Sequence, residues 1–184
     1  ALSLGACANG TVIYHSDYGS YSRSLAVHAG ESGTMATVIV GNPTGAPAPI
    51  LADRVVSGLD GTYIVRDVKF VAAPPTQPGY RTVIVFGRAK QQTICANPAA
   101  SASAASAPGP MAGAFCLGDE VLSFTSGRVP PLNGADDPAL IAQMQSIGYE
   151  LFPPVNPNYK SECEFDAGEC DPVSYTHLTL PTSS

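Results

Sequence analysis

Met35-Ala36-Thr37-Val38-Ile39-Val40 is a continuous apolar, largely β-branched run that stops at Gly41-Asn42-Pro43. Side chains branched at Cβ are stiff at χ1 and suit a pleated strand. Without polar alternation, such a strand has both faces covered, so this one predicts an interior place in a sheet. Thr44 to Pro49 forms a Pro-rich turn, and the spacing predicts a helix over 49–60. Pro49 suits the first helical position, and Leu51, Val55 and Leu59 recur every four residues on one face. Asp60-Gly61 is a stop signal. Strand, turn and helix together mark the start of a single folded domain, placed at residues 35–152.

A loop with glycines between a buried strand and a helix is where phosphate-binding turns occur. Gly41-Asn42-Pro43-Thr44-Gly45-Ala46-Pro47 has neither a GxGxxG pattern nor a Gly-Lys-Ser/Thr ending. Its prolines also lack the backbone N–H groups that would hold an anion. A nucleotide site is therefore not expected here.

Further strands are predicted at 64–72 and 80–87, with Ala73 to Gly79 as a hairpin loop between them. Val83-Ile84-Val85-Phe86 is a second buried run, after which Arg88 and Lys90 return the chain to solvent. Residues 97–110 are Ala- and Ser-rich between prolines, too poor in large side chains to offset their ordering entropy, and are read as a mobile excursion. Met111 to Leu117 and Glu120 to Gly127 flank the two-residue turn Gly118-Asp119, a hairpin. Asp137 then caps a helix whose first residue is Pro138 and whose apolar face is Leu140, Ile141, Met144, Ile147, Gly148 and Leu151. Pro153-Pro154 ends it. The expected fold class is α+β: about five strands, mostly antiparallel, with two helices packed on one face. Strand order is left open, except that 35–40 is interior and 111–117 lies beside 120–127.

The chain has 184 residues and a net charge of −6, with 18 Gly, 17 Pro, no Trp and only 13% charged residues, a balance that suits a secreted, turn-rich domain. The charge is unevenly placed. Residues 35–152 carry seven basic and eight acidic side chains, a net of −1, whereas Lys160 against Glu162, Glu164, Asp166, Glu169 and Asp171 puts −4 beyond residue 152. A nearly neutral body offers no basic surface for nucleic acid, which is not an expected partner.

Residues 8–34 are rich in Gly, Ser and Tyr and read as a flexible tether, with Thr11 to Tyr14 and Ser24 to Val27 as candidate short edge strands. His15 and His28 fall within it without Cys or carboxylates at ligand spacing, so they do not suggest a metal. Hydrolase chemistry would need a nucleophile beside a base, or paired carboxylates. No GxSxG or HExxH is present. Asp119-Glu120 and Asp136-Asp137 have simpler roles in a turn and a helix cap. The sequence reads as a non-enzyme needing no cofactor, with a pocket holding Asp67, Arg81 or Arg128 as the feature that would revive catalysis.

Leu4-Gly5-Ala6-Cys7 resembles the lipobox of bacterial lipoproteins, in which the cysteine thiol receives a diacylglycerol before the leader is removed. The resemblance implies that residues 1–6 are the remnant of a signal peptide and that Cys7 begins the mature chain as its lipidation site. It further implies a membrane partner through that anchor, and a place on the periplasmic side of the cell envelope. Ala8 rather than Asp follows the cysteine, which in enteric lipoproteins goes with the outer membrane rather than the inner. At the other end, Pro172 to Thr182 resembles the translated sequence of a transposon-based sequencing adapter, so 172–184 is read as read-through and His177 is set aside. Gly41-Asn42-Pro43, Pro78-Gly79-Tyr80-Arg81, Phe115-Cys116-Leu117-Gly118-Asp119 and Ser126-Gly127 resemble a group of proteobacterial secreted or lipid-anchored proteins, a likeness over 35–152 that implies no activity.

Five cysteines become four if Cys7 is lipidated, and four can pair in an oxidising compartment in three ways. The favoured pairing joins Cys95 to Cys116, closing the 97–110 excursion, and Cys163 to Cys170 in the acidic tail 153–171. A metal site made of Cys163, Cys170, Glu164, Asp166 and Glu169 mixes hard and soft ligands and matches no structural zinc spacing. The resulting expectation is a lipid-anchored envelope protein acting by interaction with an envelope protein partner. The alternatives are a small-ligand module using the sheet face near Tyr63, Tyr80 and Phe86, and a hydrolase without a recognisable motif.

Overall fold

A computed structural model of the chain describes residues 12–63, 67–101 and 106–158. In chain order the elements are β1 (Val12–Asp17), α1 (Arg23–Ala29), β2 (Thr34–Val40), α2 (Ala48–Leu59), β3 (Lys69–Ala73), β4 (Tyr80–Phe86), α3 (Gln91–Ile94), a 3-10 turn (Pro98–Ser101), β5 (Gly109–Leu117), β6 (Glu120–Val129) and α4 (Pro138–Leu151). The α+β class stands. The strands form one six-stranded mixed sheet in the order β1-β6-β5-β4-β2-β3, not five mostly antiparallel strands. β2 runs parallel to both β3 and β4, whereas β4, β5, β6 and β1 pair antiparallel. The unbroken apolar run of β2 thus has its physical reason: a parallel strand is covered on both faces. As expected, β2 is interior and β5 lies beside β6.

Among the described residues four helices, not two, cover the sheet. α1, α2 and α4 lie on one face, where Leu51, Val55, Leu59, Leu140, Met144, Ile147 and Leu151 pack on Met35, Ile84, Phe86, Met111 and Phe115. Each such side chain withdrawn from water contributes about 1.5–3 kcal/mol. Phe152, fully buried, packs its ring at a tilt against Tyr63 and edge-on to Phe115, with ring centroids 4.6 and 5.1 Å apart. On the other face a smaller core of Val38, Val83, Val85, Ala112, Ala114 and Phe124 is capped by Ile94 of α3 and by the Cys95–Cys116 disulfide.

Two local expectations give way to the tertiary structure. β3 and β4 do not form a hairpin: they flank β2, and Pro74 to Gly79 crosses over it. Arg81, buried, fastens the crossing, donating from one terminal nitrogen to the Gln77 carbonyl (2.9 Å) and from the other to that of Cys95 (2.7 Å). Both β3 and β4 start and end with the signals of a hairpin, so only the competition for a place beside β2 separates the two topologies. β3 also begins at Lys69 rather than residue 64. Tyr63 turns into the core instead, with its hydroxyl donating to the Ala26 carbonyl.

Residues 12–34 are not a tether. β1 pairs with β6 as an edge strand, close to the expected 11–14, but 24–27 lies in a helix rather than a strand. Ser22 starts α1, its side chain accepting from the Leu25 N–H at 3.2 Å, and this cap decides for helix. Tyr18, Tyr21 and Ala26 are buried in the main core. Two large aromatic side chains outweigh the loop-like composition around them. The domain also runs beyond 152. Tyr21 Oη donates to the Pro153 carbonyl (2.7 Å), and Asn156 Nδ2 to the carbonyls of Tyr18 and Tyr21 (2.8 Å each). Of the expected mobile stretch 97–110, Pro98–Ser101 is a 3-10 turn and Gly109 already belongs to β5.

Candidate functional site

The site is built where β1, β6 and β5 end under the entry to α3. The pairing of β1 with β6 slips between Ile13 (opposite Gly127) and His15 (opposite Ser126), so Tyr14 is the extra residue of a bulge. A bulge re-aims its side chain, and Tyr14 projects from the sheet with 62% of its surface exposed. Gly127 makes this approach possible: a Cβ there would collide with the Val12 carbonyl oxygen. On the other side, β4 ends at Phe86, the next residue Gly87 donates its N–H to the Pro110 carbonyl (2.9 Å), and Arg88-Ala89-Lys90 leads into α3.

Two restraints hold α3 in place. Cys95, at its end, is bonded to Cys116 of β5. At its start, Gln91 Nε2 donates to Asp17 Oδ2 of β1 at 2.7 Å. That hydrogen bond holds the Asp17 carboxyl below its ordinary range; burial opposes it, and further hydrogen bonds from the Gly19 N–H and Asn158 add to the lowering. Closing the loop between the two cysteines stabilises the fold by about 3 kcal/mol on a chain-entropy estimate.

Between these walls lies a cleft of about 780 Å³ lined by Tyr14, Arg88, Lys90, Thr93, Asn97 and the backbone-rich floor Pro110-Met111-Ala112 and Ser126-Gly127. A second recess of about 310 Å³ shares Tyr14, Arg88 and Pro110 with it and adds Arg128. The larger volume falls in the range of small-molecule sites. Among the described residues, three cations and no carboxylate line the pair of recesses. Among the described residues the ion pairs are Arg54–Asp136, Lys69–Asp60 and His28–Glu31, so Arg88, Lys90 and Arg128 have no acidic partner there. The flanking residues 1–11 and 102–105 contain no charged side chain. The arrangement can hold an anionic group against an apolar floor with an aromatic hydroxyl beside it.

At the opposite end of β1, Ser16 Oγ and Tyr18 Oη both donate to Glu150 Oε2 at 2.7 Å. Burial first, and then the neighbouring carboxylate, push the Tyr18 hydroxyl up to about 12. This group ties β1 to α4.

Of the residues singled out in the sequence, Cys95 and Cys116 are joined, while Cys7, Cys163 and Cys170 lie outside the described residues. The ligand face expected near Tyr63, Tyr80 and Phe86 is corrected. Tyr63 and Phe86 are core residues under the helices, and Tyr80 stacks on Phe115 at 5.9 Å on that same covered side. Asp67, Arg81 and Arg128 do not converge: Asp67 is exposed ahead of β3, Arg81 is buried at the crossing, and Arg128 stands on the recess. His15 lies against Phe124 on the α3 face and His28 against Tyr80 on the other, so they form no pair. Among the described residues no group of three His, Cys, Asp or Glu side chains could hold a metal ion, and no helix is long and apolar enough to cross a membrane. Sequence reading missed Tyr14, Arg88 and Lys90 as a group. Its only trace was a basic pair directly after a buried strand. No protein-family model, curated protein or solved structure matches the chain.

Proposed function

We propose that this chain is a lipid-anchored domain on the periplasmic side of a bacterial envelope, acting by binding, with the cleft beneath α3 as its binding site. The observation that supports this best is the Cys95–Cys116 bond, which holds a cleft wall together and suits an oxidising compartment. The lipobox-like Leu4-Gly5-Ala6-Cys7 supplies the anchor. Expression with a lipoprotein leader and radiolabelled palmitate tests the anchor: label is expected on the chain and lost in Cys7→Ser. Label that is absent, or unchanged by that substitution, refutes it. Peptide mass spectrometry without reduction checks the compartment, since free thiols at Cys95 and Cys116 in protein from the envelope are incompatible with this reading.

A second reading, a small-ligand module, is favoured by the volume and lining of the cleft. Envelope metabolites carrying a carboxylate or phosphate on an apolar body are the class it would take. A thermal-shift screen should show stabilisation by such anions that Arg88→Gln abolishes; a screen without a stabilised hit speaks against it.

A further inference from the structure

An anchor at Cys7, the premise taken over from the proposed function, has a geometric consequence once β1 is part of the sheet. Cys7 is separated from Val12, the first residue of β1, by residues 8–11 alone. Fully extended, five residue steps span roughly 18 Å. Val12 pairs with Arg128, and Tyr14 stands over the cleft beside Arg88. The anchor therefore holds this end of the sheet, where β1 and β5 begin and β6 ends, within one short link of the bilayer.

The same end has the side chains that an anionic bilayer surface recruits. Arg88, Lys90 and Arg128 line the two recesses without a carboxylate among them or an acidic partner elsewhere among the described residues. Tyr14, 62% exposed, and Val12, 39% exposed, are apolar or amphipathic groups on the strand nearest the anchor. Tyrosine favours the headgroup level of a membrane, where its ring and hydroxyl are both satisfied. Attraction between basic side chains and anionic lipids falls off within a Debye length, about 8–10 Å, so it acts only on a face held close. A short link does that, and raises the effective concentration of the surface to the millimolar range, where weak docking suffices.

We propose that this end of the sheet, carrying Tyr14, Arg88, Lys90 and Arg128, docks on the anionic phospholipid surface to which Cys7 tethers the chain. Docking orients the cleft toward the bilayer, so that its occupant is a lipid headgroup.

The test uses the full-length Cys7→Ser chain, which carries no lipid, in sedimentation with vesicles of phosphatidylcholine containing or lacking phosphatidylglycerol. Binding is expected only with phosphatidylglycerol and should disappear in about 0.5 M salt, where screening is strong. Each of Arg88→Gln, Lys90→Gln and Arg128→Gln should weaken it about fivefold, and the triple variant on the order of a hundredfold. Tyr14→Ala should weaken it too. Equal binding to both vesicles, or a triple variant that binds like its parent with its disulfide and cooperative unfolding intact, overturns the proposal. So does displacement by millimolar inorganic phosphate, which would make the site one for a free anion. A chain ending at residue 158 that binds when the full chain does not would assign the basic end to the acidic residues 162–171, and likewise overturns it. Palmitate labelling and vesicle binding fail separately, so loss of the anchor reading and loss of the docking face are told apart.

Discussion

Tyr21 shows how much a single side chain settles in this fold. Its ring is 1% exposed and packs edge-on to Phe115, while its hydroxyl donates to the carbonyl of Pro153. Burial pushes that hydroxyl up to about 12, so it remains a donor at any physiological pH. Tyr21→Phe keeps the ring and orphans a buried carbonyl, which should cost about 1–3 kcal/mol, read as a lower urea midpoint with an unchanged slope. Asp17 is the complementary case at the surface. Its carboxyl is held below the ordinary 3.8, so the charged form is favoured in the folded state. Such a group contributes stability that is present above its unfolded value and is lost as pH falls through the folded one. Thermal melts from pH 7 to pH 2 should therefore fall less steeply for Asp17→Asn than for the parent, and identical slopes would exclude the contribution. Neither role is readable locally, because Tyr21 and Asp17 stand among Gly and Ser, and their partners Pro153 and Gln91 are distant in sequence.

Among the elements, the crossing of α2 and α4 depends on Gly58. A Cβ at that position would lie 2.6 Å from Met144 Cβ and 3.2 Å from the Ile141 carbonyl oxygen. Alanine improves intrinsic helix propensity by about 1 kcal/mol. The clash here is with a Cβ carbon, fixed by its bond to the backbone, and with a backbone carbonyl, neither of which can swing away, and overpacking of this kind costs about 1–3 kcal/mol. Gly58→Ala should thus destabilise the protein despite being the better helix former, and equilibrium urea unfolding decides the sign. Helices α2 and α4 were legible from their caps and four-residue periodicity, since Asp137 accepts from the Ala139 N–H at 2.9 Å as its position before Pro138 suggests. Their mutual contact was not. Gly58 reads as an ordinary weak point in a helix until the neighbour that needs the space is known.

At the level of the whole molecule, the N-terminal segment belongs to the domain. β1 closes one edge of the sheet, α1 covers part of the core, and residues 153–156 fold back onto Tyr18 and Tyr21. A chain starting at Met35 loses three buried side chains and the partners of Pro153 and Asn156. It should lose cooperative unfolding in calorimetry, whereas a chain starting at Thr11 should retain it. Equal cooperativity in both would restore 12–34 as a dispensable tether. The short link that remains also changes what an anchor at Cys7 would do, because it would hold one end of the sheet against the membrane instead of letting the domain roam.

Local chemistry in the sequence determined the strand of residues 35–40, the two longer helices with their ends, the 111–127 hairpin and the α+β class. In each case the signal is a periodicity or a cap contained within a few residues. The tertiary structure alone decided that β3 and β4 flank β2, that residues 12–29 enter the fold, and that Tyr14, Arg88, Lys90 and Arg128 meet around one cleft. Those outcomes depend on which distant segments compete for the same sheet edge and the same buried volume, and no window of neighbouring residues carries that information.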